Sequence, residues 1–153
     1  MGSISNIKLP SMTALSIVVM VSFAVAQTLI PDPVLTPGEV ASTDFDDVCN
    51  STPPSYSKRH RGPNYKAEII RRYSLESFEG EIDHRVPLAL GGADSLKNKW
   101  PQLWGGKCGA GAKDRLEVQL WEAVCQERRM PLAEAKAVFM GSYWTKLGGC
   151  LIE

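Results

Sequence analysis

Asp83 and His84 stand side by side in the segment Glu81-Ile82-Asp83-His84-Arg85-Val86-Pro87-Leu88. Histidine is half-neutral near pH 6.5 and can take a proton from water at neutral pH. An aspartate supplies a hard oxygen suited to Mg2+ or Mn2+. A divalent ion of that kind would offset charge developing on a phosphate and its leaving oxygen. The pair therefore has the chemistry of phosphodiester hydrolysis. By itself it fits a packed strand-end histidine just as well.

Such a pair needs an element that brings both side chains to one cleft. Strict alternation along a strand sends neighbours to opposite faces, whereas a strand end or a bulge can turn both the same way. A strand-turn-strand unit is expected over about 79–90, with Ile82, Val86, Leu88 and Leu90 as its apolar positions and Gly91-Gly92 closing it. Residues 93–111 then read as one long loop, of a length that is usually functional. On either side the pattern is helical. Tyr65, Ile69 and Tyr73 recur at four-residue spacing in a helix over 64–73. Leu116, Leu120 and Val124 mark an amphipathic helix over about 112–127. Pro131 opens a last helix running to about Lys146, with Ala135, Val138, Phe139 and Trp144 facing the core. The fold class is small α+β.

The 153 residues allow one domain with a modest core. Lys8 precedes an apolar run over 12–26 that ends Ala24-Val25-Ala26. The run is short for a membrane span, which takes about 20 residues, and it reads as a signal peptide over 1–26. Residues 27–47 carry three prolines and no periodic pattern, so they read as a flexible or extended lead-in. The domain proper is 48–153. Four cysteines remain after the leader, Cys49, Cys108, Cys125 and Cys150. An even count in an exported small domain reads as two disulfides, and the spacing is wrong for a zinc site. The zero formal charge hides an asymmetry: from Val48 onward there are sixteen Lys and Arg against twelve Asp and Glu. That surplus permits a polyanionic partner. Lys58, Arg59, Arg61, Lys66, Arg71 and Arg72 concentrate it in 58–72, a segment expected to contact phosphates.

The wider pattern is specific. It comprises D-H-x-x-P-L-x-x-G-G, Asn98 fourteen residues after His84, Trp100-Pro101-Gln102, and Lys113-Asp114-Arg115-Leu116-Glu117 opening a helix. Over about 45–147 the chain resembles the HNH (ββα-metal) endonuclease family, and within it a subgroup of small exported bacterial proteins. That resemblance implies a core of hairpin, long loop and helix. It implies His84 as general base, Asp83 as metal ligand, and Asn98 as the residue that holds the loop and orients the base. It places Lys113 and Arg115 toward phosphate. It also implies Cys49–Cys125 as one disulfide, the two positions that resemble the subgroup, which leaves Cys108–Cys150 as the other.

One position departs from the family pattern. Gly111 stands where the family usually has a third ligand, a histidine two residues before Lys113. Either Asp114 serves as the second carboxylate ligand, or the ion is held by Asp83, phosphate and water, or the site is inactive. Asp114 also suits a helix N-terminal turn, where a carboxylate is favoured by the dipole. The expected function is that of an exported, monomeric endonuclease, secreted or periplasmic, using Mg2+ or Mn2+ on DNA and conceivably RNA, with no membrane contact after leader removal. The alternative is a non-catalytic nucleic-acid-binding or effector module on the same scaffold. If Gly111 is a loss, Gly111→His should restore metal binding.

Overall fold

A computed structural model describes residues 30–50, 65–105 and 108–141. The leader expected over 1–26, and Arg59, Arg61, Trp144 and Cys150, lie outside the described residues. The architecture is α+β. In chain order the elements are α1 (Phe45–Cys49), α2 (Lys66–Arg72), β1 (Gly80–His84), β2 (Lys99–Leu103), α3 (Ala110–Trp121) and α4 (Leu132–Met140).

β1 and β2 form a two-stranded antiparallel sheet in which Asp83 faces Trp100 and His84 faces Lys99. The second strand is thus displaced from the expected 79–90 unit. Within that span only β1 is a strand, and Leu88–Leu90 is a single 3-10 turn. The reason lies in the glycines. Gly91 ends the turn at φ +83°, a left-handed conformation in which its N–H returns to the Leu88 carbonyl. A Cβ on Gly92 would collide with the Val86 carbonyl. The chain is folded back on itself here, so it cannot pair as a strand until Lys99. Pro101 is accepted in β2 because each strand of a two-stranded sheet has a free edge.

α3 packs against β1 and the 88–90 turn. Beyond Trp121 it continues as one wide π-helical turn, Glu122–Gln126, where Glu127 N–H bonds the Glu122 carbonyl. Cys125 sits in that turn and is bonded to Cys49 at the end of α1. Cys108 is not a free thiol. α4 is shorter than expected, and Gly141 leaves the helical conformation after Met140. The core gathers Ile69, Leu90, Trp100, Val124, Ala135 and Phe139 from these elements.

The lead-in is more ordered than its prolines suggest. Thr36 is fully buried, its hydroxyl 2.7 Å from the Tyr73 hydroxyl and donating to the Lys99 carbonyl at 2.9 Å. Val40 bridges to Gly92, and Asp44 caps α1 by accepting from Asp47 N–H. Partners distant in sequence supply this order, so no local periodicity announces it.

Candidate functional site

His84 ends β1, where the strand gives way to the 85–98 connection, and its side chain is mostly buried. Nε2 lies 2.9 Å from Asp94 Oδ1 in that connection. An ionised carboxylate only accepts, so Nε2 carries the proton in the neutral ring and Nδ1 holds the lone pair. Among the described residues Nδ1 has no hydrogen-bond partner. Burial pushes the imidazole below its ordinary pKa, and the Asp94 hydrogen bond recovers only part of the shift. Burial also works against the Asp94 carboxylate. Hydrogen bonds from Lys99 and His84 outweigh it, and the net shift is downward. Lys99, opposite His84 across the sheet, holds Asp94 in an ion pair and stands 4.8 Å from the centre of the Tyr65 ring. The result is a chain Lys99–Asp94–His84 that fixes the ring and its tautomer.

Nothing in the sequence distinguishes Asp94. It sits in Gly91-Gly92-Ala93-Asp94, ten residues from His84, and reads as an ordinary loop acid. Only the fold-back at the two glycines brings it to the ring.

Asp83 takes different partners. Oδ1 accepts from the His84 backbone N–H at 2.7 Å. Oδ2 faces the Lys113 ammonium at 2.7 Å, a charge contact without the alignment of a hydrogen bond. Lys113 also pairs with Glu117 one turn along α3 and stands 5.3 Å from the centre of the Phe139 ring. Its side chain has no exposure, which corrects the expectation that it contacts phosphate. Burial works against the ammonium, but the two carboxylates outweigh it and raise its pKa. Burial also raises Glu117, against the pull of Lys113.

Asp114 is half-buried on α3. Among the described residues no three His, Cys, Asp or Glu side chains are grouped to hold a metal ion. Asp83 has both oxygens engaged, one of them by a resident cation. These residues do not fit a divalent-ion centre. Gly111 is exposed, and a Cβ there meets nothing closer than Arg115 Nη1 at 3.8 Å. Two residues along a helix is a turn of about 200°, so position 111 points away from the Lys113 face.

No family model matches this chain, and no curated protein or solved structure matches it.

Asn98 is fully buried in the same connection. Its Oδ1 accepts from Val86 N–H, and its Nδ2 donates to the carbonyls of Val86 and Ala93. The basic residues divide. Arg115 and Arg71 are exposed. Arg72 instead donates to the carbonyls of Leu96 and Leu35, tying α2 to the connection and the lead-in. Trp100 and Pro101 are fully buried packing residues.

Proposed function

We propose that this chain is an exported phosphodiesterase of the HNH kind, acting on DNA, with His84 as the general base. The observation that carries the reading is the His84–Asp94 pair, which leaves Nδ1 as a lone-pair nitrogen on a neutral ring. Water beside Nδ1 gives it a proton, and the hydroxide attacks phosphorus. The phosphorus–oxygen bond to the leaving nucleoside breaks, and solvent protonates that oxygen. Asp94 stabilises the imidazolium that forms, and Lys99 keeps Asp94 in place. Arg115 and Arg71 are the exposed cations offered to the phosphate backbone. No step is assigned to Mg2+ or Mn2+. Export is favoured by the Cys49–Cys125 disulfide, a bond of oxidising compartments. Among the described residues no helix is long and apolar enough to cross a membrane.

The test is cleavage of plasmid DNA and of single-stranded RNA by the oxidised protein, with Mg2+, with Mn2+ and with EDTA, beside His84→Ala. A general base supplies about 10²–10⁴-fold in rate, so cutting by the variant should fall by that factor while nucleic-acid affinity persists. Undiminished cutting by His84→Ala removes the assignment. The engagement of both Asp83 oxygens favours a second reading, a binding module that does not cut. Salt-sensitive DNA binding with no cleavage under any of these conditions selects it.

A further inference from the structure

Asp83 is the residue from which a metal-dependent reading of the site starts, and it already faces a cation. The ammonium of Lys113 is 2.7 Å from Oδ2, while Oδ1 is held by the His84 N–H at 2.7 Å. A Mg2+ or Ca2+ ion binds carboxylate oxygen at about 2.0–2.6 Å, so an ion on Oδ2 would fall in the space the ammonium fills. Lys113 cannot swing aside cheaply. Its side chain has no exposure, its second partner Glu117 lies on its own helix, and the Phe139 ring stands 5.3 Å away. Glu117 is itself about nine-tenths hidden, with 11% of its side chain exposed. A buried ammonium between two carboxylates has the charge pattern of a cation site filled by the protein itself.

We infer that Lys113 is a built-in replacement for a divalent ion: its ammonium holds Asp83 and Glu117 together, and the wild-type chain binds no catalytic metal at Asp83. The inference rests on the proposed function and says why its site works without a divalent ion. It also identifies Asp83 and Glu117 as a latent pair of hard oxygen ligands, usable once the ammonium is gone.

Mn2+ binding, followed by the electron paramagnetic resonance of the free ion, tests this without reference to cleavage. The full-length oxidised protein is compared with Asp83→Asn, Lys113→Gln and the double variant. Wild type and Asp83→Asn should bind Mn2+ equally weakly. Lys113→Gln should gain about tenfold or more in affinity through the freed carboxylates, and Asp83→Asn added to it should remove the gain. Asp83-dependent Mn2+ binding by the wild type overturns the inference, as does a Lys113→Gln protein that folds and gains nothing. Should Lys113→Gln not fold, the wild-type and Asp83→Asn comparison decides alone. Absent cleavage with the expected Mn2+ pattern counts against the proposed function and not against this inference.

Discussion

Asn98 and Val86 are joined by two hydrogen bonds in opposite directions: Val86 N–H donates to Oδ1 at 2.8 Å, and Nδ2 donates to the Val86 carbonyl at 2.9 Å. The side-chain amide thus acts as one more rung beyond the end of the sheet. It closes the 85–98 connection just past His84, and a further bond to the Ala93 carbonyl holds the residue before Asp94. Asn98→Ala removes the bonds to the Val86 N–H and carbonyl, which are buried, and to the half-buried Ala93 carbonyl and Glu39 N–H. An unsatisfied buried group costs about 1–3 kcal/mol, so a loss of roughly 3–5 kcal/mol is expected in urea unfolding. Asn98→Asp keeps the acceptor but turns a carboxylate oxygen toward the Val86 and Ala93 carbonyls at a buried position, and should be at least as destabilising as alanine at neutral pH. An alanine variant within about 1 kcal/mol of wild type would show that water replaces the amide.

Asp94→Asn tests the orientation of His84. The carboxylate fixes the proton on Nε2, and an amide can present either its oxygen or its nitrogen to the ring. Activity should drop at least about tenfold, the scale of losing an orienting partner of a histidine. The pH dependence has a definite sign. Burial lowers the His84 pKa and Asp94 raises it in part, with a net downward shift. Wild-type activity should therefore persist below pH 6.5 before the acid limb sets in. Removing the carboxylate should move that limb to still lower pH. A limb that moves upward contradicts the arrangement. Nitrogen chemical shifts of the ring above pH 8 report the tautomer directly.

Cys49 and Cys125 are separated by 76 residues. A chain-entropy estimate for a loop of that size gives about 4.5 kcal/mol. The double Cys49→Ser, Cys125→Ser variant should lose most of its thermal stability, measured as Tm, and should expose the end of α1 to proteolysis. An unchanged Tm would show that packing around Val48 and Val124 suffices. Peptide mapping of the unreduced protein tests whether Cys108 pairs with Cys150, as expected from the sequence.

Gly111→His carried an expectation of restored metal binding. The helix geometry reverses it. The new ring would point to solvent beside Arg115, about 200° around α3 from Lys113. Mn2+ affinity should not rise. Stability should rise by up to about 1 kcal/mol, because a helical glycine is replaced. A clear gain in metal affinity would place residue 111 nearer Asp83 than the structure does.

Features whose causes lie within a few residues of chain were legible before the fold was known. The apolar spacing of Leu116, Leu120 and Val124 marks α3, and Tyr65, Ile69 and Tyr73 mark α2, because a helix repeats its own contacts every turn. A strand through Ile82 was legible, but its end at His84 was not, since the expected strand-turn-strand unit ran over about 79–90. The Cys49–Cys125 bond was implied only by the resemblance to a family; the cysteine count alone leaves three pairings. Tertiary structure decided everything that depends on a long return of the chain. β2 was hidden because Trp100, Pro101 and Gln102 are all buried, and a strand buried on both faces shows no alternation. The lead-in gained its order from Tyr73 and Lys99, over sixty residues away in the case of Lys99. Asp94 became the partner of His84 only where Gly91 and Gly92 fold the chain back. Lys113 reads in sequence as a helix charge bound for solvent or phosphate. Its burial between Asp83 and Glu117 depends on β1, α3 and α4 meeting there, because a charge can leave water only where opposite charges are already assembled to receive it.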